Sequence, residues 1–227
     1  MGSLDLLIRA GTIVDGSGAA RYRGDVGVRG GRIVEIGPIR SGAERTIDAD
    51  GLIVSPGFID GHTHMDAQVA WDRIGSCSCW HGVTTVIMGN CGFALAPCRR
   101  ADREWCARCL TAVEDIPTEA MLAGIDWTWE TFPEYLANVD RLPKAINYGA
   151  YLGHSALRMY VMGKRALTEK ATEDDLTRMV AGVKEAVRAG AMGFSSSRAT
   201  THVTPDDTPV ASRIADWSEL DRLVGAL

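Results

Sequence analysis

The fold is decided by the stretch Pro56-Gly57-Phe58-Ile59-Asp60-Gly61-His62-Thr63-His64-Met65-Asp66, which follows the apolar run 52–54. These residues predict a buried β-strand over about 52–60 that delivers two histidines. Successive side chains of a strand point to opposite faces, so His62 and His64 should lie on one side and Thr63 on the other. Two imidazoles on one face can bind a divalent cation. Zinc is the predicted ion, at roughly 2.0–2.1 Å from nitrogen. The alternative is a strand that merely ends in a polar loop.

From this stretch onward, apolar strands alternate with helical segments, which is typical of a parallel sheet or a barrel. Strands are predicted at about 52–60, 83–90, 146–153 and 191–196. The clearest helix lies between the third and fourth strands, where Thr172 caps it, acidic residues fill its first turn and Gly190 ends it.

A long insertion, from about 93 to 145, follows the second strand. It contains a predicted helix near 101–110 and another that opens at Thr131, with Glu134 completing a capping box. An insertion of this length after a barrel strand commonly forms the rim of a site. Packing of its tryptophans in the core is the alternative.

The residues before this stretch predict a small antiparallel β module. Residues 4–54 read as short strands separated by glycines, with Gly30-Gly31 as a two-residue hairpin loop and Asp50-Gly51 as a turn. Such a module is too small to be stable alone. At the other end, Ser218 is predicted to cap a last helix, whose apolar stripe is followed by no further strand to cover it.

Bulk composition excludes several classes of protein. The chain has 227 residues, is 46% hydrophobic and carries a net charge of −5, so a packed core is expected and nucleic acid is not a predicted partner. No apolar run approaches 18 residues and no secretory leader is visible, so neither membrane insertion nor export is expected. The six cysteines are therefore predicted to be reduced, and the protein to be cytoplasmic.

Cys91, at the end of the second predicted strand, is the third candidate metal ligand. Catalytic groups of barrel enzymes lie at the carboxyl ends of strands, and a thiolate there could reach a zinc ion held by His62 and His64 at about 2.3 Å. A lone cysteine can also be a small buried apolar residue. The other five cysteines are predicted to be free thiols.

Two more residues are candidates for binding substrate. His154 ends the third predicted strand, where it could bind substrate or orient a ligand, or be an ordinary core or rim histidine. Arg198 follows the fourth strand and could bind a substrate carboxylate, or form a salt bridge with Asp206 or Asp207. Of the remaining histidines, His81 is expected to be structural and His202 to be solvated.

Several motifs resemble one family. The stretch around His62 resembles the first barrel strand of the amidohydrolase superfamily, whose metal enzymes carry His-x-His there. The segment GVTTVIMGNCGF (82–93) resembles the second strand of its N-acyl-D-amino-acid deacylase (D-aminoacylase) branch, in which a cysteine at the position of Cys91 is a zinc ligand. Further matches are GHSALR (153–158) and GAMGFSSSR (190–198).

The resemblance implies a partial TIM-like (β/α) barrel of about four strands, over residues 55–227, preceded by an incomplete β-sandwich-like module over 1–54. It implies Zn²⁺ as cofactor and hydrolysis of an N-acyl-D-amino acid to a D-amino acid and a carboxylate by metal-activated water. Many superfamily members use a modified lysine on strand four, but residues 191–198 contain none, which favours Cys91 as the anionic ligand. The distal ligands and the general base are expected beyond residue 227.

Two other hypotheses stay open. The chain could be a catalytically inert metal-binding or interaction fragment, whose open sheet edges favour self-association. It could also be a cyclic-amide hydrolase resembling dihydroorotase or hydantoinase, although the Asn90-Cys91-Gly92 sequence and the absent lysine count against this.

Overall fold

The structure is a computed structural model that describes residues 3–114 and 116–227. Residues 1 and 2 of the predicted first domain, and residue 115 of the insertion, lie outside the described residues. The chain divides into two compact units, residues 1–57 and 58–227. None of the described helices is both long and apolar enough to cross a lipid bilayer.

The first unit is a five-stranded sheet around Leu4, Leu7 and Ile39. Its strands are β1 (Leu4–Ile13), β2 (Tyr22–Arg29), β3 (Arg32–Gly37), β4 (Ala43–Asp48) and β5 (Ile53–Val54). The expected antiparallel pairing is present between β1 and β2 and between β2 and β3, while β4 and β5 pair in parallel with β1. Gly30 and Gly31 form the predicted hairpin loop, with φ of 58° and 72°, the left-handed conformation such a turn requires.

The second unit contains the parallel sheet. Its strands, β6 (Phe58–Asp60), β7 (Val83–Met88), β8 (Asn147–Gly153) and β9 (Gly193–Ser195), are hydrogen-bonded in that order and all parallel. α-Helices follow β7, β8 and β9, as expected for a partial (β/α) barrel, whereas the described segment between β6 and β7 contains only two short 3₁₀ turns. The α-helices are α1 (Arg103–Glu114), α2 (Thr118–Gly124), α3 (Phe132–Arg141), α4 (His154–Met162), α5 (Glu173–Ala189), α6 (Ala211–Ile214) and α7 (Trp217–Val224).

The first predicted strand, 52–60, is wrong as a single element. Ile53 and Val54 belong to the sheet of the first unit, whereas Phe58–Asp60 pair with β7. Pro56 and Gly57 separate the two pieces because proline has no N–H for a ladder and glycine weakens a strand. The break therefore coincides with the boundary between the two units.

Two helix starts follow the predicted capping chemistry. Thr131 caps α3 and Thr172 caps α5, and each forms a capping box, with Glu134 and Asp175 respectively. Gly190 ends α5 with a φ of 107°. Along α5, Leu176, Met179 and Val183 are buried in the core, so its amphipathic pattern is confirmed.

Other helix boundaries differ from the predictions. His154 does not end a strand but begins α4, and most residues of that helix are buried. Because α4 is buried nearly all round, its polar residues His154, Ser155 and Arg158 included, it lacks the exposed polar face by which a surface helix is recognised. The cap of α7 is Asp216, whose carboxylate accepts from the backbone N–H of Glu219, and the Ser218 hydroxyl instead donates to Asp216.

The tryptophans of the insertion pack in the core. Trp127 and Trp129 are buried, their rings lie 5.6 Å apart, and the indole N–H of Trp129 donates to the Leu95 carbonyl at 2.9 Å. Tyr135 of α3 packs edge-on against Trp129. This outcome agrees with the alternative in which these residues stabilise the fold.

Candidate metal centre

Three side chains that could hold a metal ion converge just beyond β6 and β7. One donor atom from each of His62, His64 and Cys91 lies within 4.8 Å of the other two. The Cys91 sulfur is 3.2 Å from His62 Nε2, and the two imidazole centroids are 5.6 Å apart. The three residues singled out from the sequence are thus brought together.

The two histidines lie in the loop after β6 rather than in the strand, which ends at Asp60. Thr63 fixes their orientation, because its backbone N–H and its hydroxyl both donate to the Ile87 carbonyl, at 3.0 and 2.9 Å. Asp60 accepts from the backbone N–H of His62 at 3.1 Å. With Thr63 anchored to the end of β7, the flanking histidines reach the cluster together, so loop hydrogen bonds produce the arrangement that strand alternation predicted.

Cys91 lies in a tight turn with an uncommon backbone conformation. Its φ is 58°, in the left-handed region that non-glycine residues rarely adopt, and Gly89 and Gly92 flank it with φ of 75° and 77°. The Asn90 side chain holds the turn by donating to the carbonyls of Ile87 and Thr63, at 2.8 and 3.1 Å. Since Thr63 lies between the two histidines, Asn90 ties the sulfur-bearing loop directly to the imidazole-bearing one.

Asp66 supports the same turn. Its carboxylate is buried and accepts from the backbone N–H of Gly89 at 3.1 Å. Asp66 therefore holds the entrance of the turn that carries Cys91.

The chemistry of the three donors fits zinc. Burial, with a smaller effect of the neighbouring His62, lowers the pKa of His64 to about 4, so its imidazole is neutral near pH 7, the form that binds metals. A tetrahedral zinc ion with bonds of about 2.0–2.1 Å to nitrogen and 2.3 Å to sulfur separates these atoms by about 3.5 Å. The Cys91–His62 distance of 3.2 Å is close to that value. Ligation itself stays a prediction.

His154 is enclosed by other residues of the chain. It is 1% exposed, and both ring nitrogens are engaged, Nδ1 with the Ser196 hydroxyl at 2.9 Å and Nε2 with Glu219 at 2.8 Å. Burial lowers the pKa of His154, against the opposing effect of Glu219. Burial alone would raise the pKa of Glu219, but hydrogen bonds from His154 and Arg158 outweigh it and lower that pKa. The pair is therefore a neutral imidazole and a carboxylate.

Arg198 lies at the start of the segment after β9. Its Nη1 donates to the Ala215 carbonyl at 2.7 Å, and its guanidinium lies over the Trp217 ring at 5.0 Å. The alternative salt bridge, to Asp206 or Asp207, is not among the ion pairs of the described residues, and Asp206 pairs with Arg108 at 3.3 Å. Neither His154 nor Arg198 belongs to the three-residue donor cluster, and their contact with substrate stays a prediction.

His202 is the residue near the site that sequence reasoning missed. It was expected to be solvated, but it is half-buried and packs on Phe93 with 5.3 Å between ring centroids. Phe93 in turn lies 6.4 Å from the His64 ring. Burial, Arg213 and His62 lower the pKa of His202. No spacing in the sequence could reveal this position, since it depends on how the loop after β9 folds back.

The other five cysteines have free thiols in the structure: Cys77, Cys79, Cys98, Cys106 and Cys109. Cys98 and Cys109 are buried, whereas Cys77 is exposed. Burial raises the pKa of Cys109 to about 12, so its thiol is protonated near neutral pH. Among the described residues, neither the Cys77–Cys79 pair nor the Cys106–Cys109 pair belongs to a cluster of three or more metal donors.

Comparison with known proteins identifies the relatives of this chain. The model of the amidohydrolase family matches residues 45–219. D-aminoacylase of Alcaligenes xylosoxydans xylosoxydans is 38% identical over 205 residues, which are 87% of this chain and 40% of that protein. The chain thus spans about 40% of the length of this curated relative.

Solved structures agree with the sequence comparison. N-acyl-D-glutamate deacylase of Bordetella bronchiseptica, in complex with zinc and a phosphonate inhibitor, superposes with a TM-score of 0.82 at 32% identity, over 99% of this chain and 43% of that one. A D-aminoacylase structure studied for its binuclear metal centre gives a TM-score of 0.78 at 32% identity, with the same coverage.

Proposed function

Because the chain belongs to the amidohydrolase family, we propose that it forms the zinc-binding part of a hydrolase that cleaves N-acyl-D-amino acids to a D-amino acid and a carboxylate. The observation that carries the proposal is the convergence of His62, His64 and Cys91 beyond two neighbouring parallel strands. Relatives that are 32–38% identical to this chain and cover 87–99% of it include a D-aminoacylase and an N-acyl-D-glutamate deacylase.

Zinc bound at this cluster supplies a Lewis acid for the acyl carbonyl and a water of lowered pKa. The chain's own part would be to hold the ion, with His62 and His64 as nitrogen ligands and Cys91 as the anionic sulfur ligand. Thr63 and Asn90 fix the two loops relative to each other by hydrogen bonds. Since the described residues bring only these three donors together, the general base and the remaining ligands are assigned to no residue here.

For substrate recognition, Arg198 is the better of the two candidates. It is exposed and its guanidinium carries several donors, of which one is engaged by the Ala215 carbonyl. His154, enclosed between Ser196 and Glu219, fits a positioning role within the protein. The substrate class is a small N-acylated amino acid, and the proposed location is the cytoplasm.

A second candidate function is a metal-binding chain without catalytic activity of its own. Its support is that the described residues bring together three donors and no fourth ligand, and that none of them is assigned as the general base that hydrolysis requires. A cyclic-amide hydrolase is not favoured, because a cysteine occupies the position after β7 and residues 191–198 contain no lysine.

The test combines metal analysis with hydrolysis. We expect the chain to bind Zn²⁺, and Cys91→Ala to lower its affinity by at least tenfold, whereas Cys77→Ala, at an exposed position, leaves it unchanged. Hydrolysis of N-acetyl-D-methionine is measured for this chain and for a chain extended to the length of its relatives.

The outcomes separate the hypotheses. Activity of the extended chain alone supports the deacylase assignment and makes the present chain inert by itself. Hydrolysis of a cyclic imide in place of N-acetyl-D-methionine contradicts the assignment. Zinc affinity that does not change in Cys91→Ala removes its physical basis.

A further inference from the structure

The hydroxyl of Ser195, the last residue of β9, bridges the turn that carries Cys91. It donates to the Gly89 carbonyl and accepts from the backbone N–H of Gly92 at 3.0 Å. These two backbone groups bracket the cysteine on either side. We propose that Ser195 is a positioning residue that holds the Cys91 sulfur toward His62 and His64, an inference that rests on the proposed metal site.

The turn needs such a restraint because its backbone is unfavourable for a cysteine. Cys91 has a φ of 58°, and side-chain-bearing residues rarely persist there unless the surrounding structure enforces it. Relaxation of Cys91 toward an extended conformation would swing the sulfur away from the imidazoles. The Ser195 hydroxyl opposes this movement by fixing the spacing between the Gly89 carbonyl and the Gly92 N–H.

Ser195 can reach the turn only because the end of β8, which lies between β7 and β9, carries no side chain. A Cβ added to Gly153 would lie 2.7 Å from the Gly92 carbonyl oxygen and 3.0 Å from the Ala94 side chain. A Cβ at Gly89 would likewise collide with the backbone of Tyr151. The turn therefore lies directly on the end of β8, within hydrogen-bonding distance of the next strand.

The neighbouring serines have other contacts, which makes them matched controls. The Ser196 hydroxyl is 2.9 Å from His154 Nδ1, and the Ser197 hydroxyl accepts from the backbone N–H of Ala199 at 3.2 Å. Neither hydroxyl contacts the Gly89–Gly92 turn in the described hydrogen bonds. Of the three consecutive serines, Ser195 is thus the one whose substitution should change the position of the Cys91 sulfur.

The experiment uses Co²⁺ as a probe, because cobalt bound to a thiolate gives a sulfur-to-metal charge-transfer absorption band that reports the Cys91–metal bond directly. Titrations of the whole chain are compared with those of Ser195→Ala, Ser195→Thr, Ser197→Ala and Cys91→Ala. We expect Ser195→Ala to weaken Co²⁺ binding by roughly 10–100-fold and to diminish the band, as for other residues that orient metal ligands. Ser195→Thr, which keeps the hydroxyl, and Ser197→Ala should retain both.

The outcomes separate the positioning role of Ser195 from the proposed metal site itself. If Ser195→Ala keeps the band and an affinity within twofold of the parent while Cys91→Ala loses both, the positioning role is wrong and the metal site stands. If the parent chain binds no Co²⁺, or Cys91→Ala retains the band, the metal site and this inference fail together. Should Ser195→Ala not fold, as judged by circular dichroism, Gly153→Ala tests the same idea by displacing Gly92, with the same loss expected.

Discussion

At the scale of single residues, Arg158 is the largest side chain that the fold encloses completely, and its charge is met by Glu219. The same guanidinium donates to the carbonyl of Glu169 at 2.8 Å. Glu219 also accepts from His154, so residues of α4 and α7 form one buried polar network. Such networks are costly to break because any partner left behind stays buried and uncompensated.

We therefore predict that Glu219→Gln and Arg158→Met each lower the free energy of unfolding by about 3–5 kcal/mol. The measurement is urea-induced unfolding followed by circular dichroism. Arg222→Met, which removes an ion pair with Glu173 at the surface, should cost less than about 1 kcal/mol. Equal effects of the buried and surface substitutions would contradict this view of the network.

His154 predicts a pH dependence of stability. Its pKa is lowered in the folded protein below the ordinary value of 6.5, so below pH 6.5 the unfolded chain takes up a proton that the folded chain resists. The free energy of unfolding should therefore decrease as the pH falls from 7.5 to 5.5.

His154→Gln should reduce the slope of the free energy of unfolding against pH, by at most about 1 kcal/mol per pH unit. The comparison is between slopes, since the substitution also removes hydrogen bonds and lowers stability at every pH. His81→Gln, at an exposed position, shows what the loss of a surface imidazole does. A slope unaltered by His154→Gln would contradict the assignment of a neutral buried imidazole.

At the scale of elements, α5 is stabilised at its start by a reciprocal hydrogen-bond pair. The Thr172 hydroxyl accepts from the Asp175 N–H at 3.2 Å, and the Asp175 carboxylate accepts from the Thr172 N–H at 3.0 Å. Thr172→Ala should lower the free energy of unfolding by about 1 kcal/mol. Thr177→Ala, within the same helix at an exposed position, should change it by no more than a few tenths of a kcal/mol. Urea unfolding of both variants checks the difference.

Elements with strong local signals could be predicted from the sequence, and those set by tertiary contacts could not. The caps at Thr131 and Thr172 and the Gly30-Gly31 hairpin are local, and all three are present. The start of α4 at His154 has no side-chain cap, and the helix has no exposed polar face, so its helical state depends on burial. Asp216 and Ser218 are both good capping residues, and only the structure distinguishes them.

At the scale of the whole molecule, the sequence predicts the candidate metal donors but not the residues that surround and position them. His62, His64 and Cys91 stand out because their residue types carry metal chemistry. Ser195 and His202 do not stand out in the sequence, because each lies more than 100 residues beyond Cys91. Ser195 reaches the site at the end of β9, and His202 reaches it through a loop that folds back onto Phe93. These surrounding residues are brought to the site by long-range packing, which a single sequence does not reveal.

The edges of the parallel sheet lead to a prediction about association. Strand β6 lies at one edge, and its Phe58 and Ile59 side chains are 62% and 70% exposed. Exposed apolar edge strands are templates for pairing with another chain. We predict concentration-dependent self-association, weakened about tenfold by Ile59→Lys and unchanged by Ala120→Lys, which adds the same charge on α2. Sedimentation velocity over a range of protein concentrations measures this, and a strictly monomeric parent chain would contradict it.

The buried thiol of Cys109 makes transient opening of the core measurable, because the rate at which it is labelled reports that opening. Alkylating reagents attack the thiolate, and a sulfur that is both shielded and protonated near neutral pH is inert until the surrounding packing opens. Cys77, at the surface, should be modified at once. The difference between the labelling rates of Cys77 and Cys109, measured by mass spectrometry, would give the frequency at which the core opens to a small reagent.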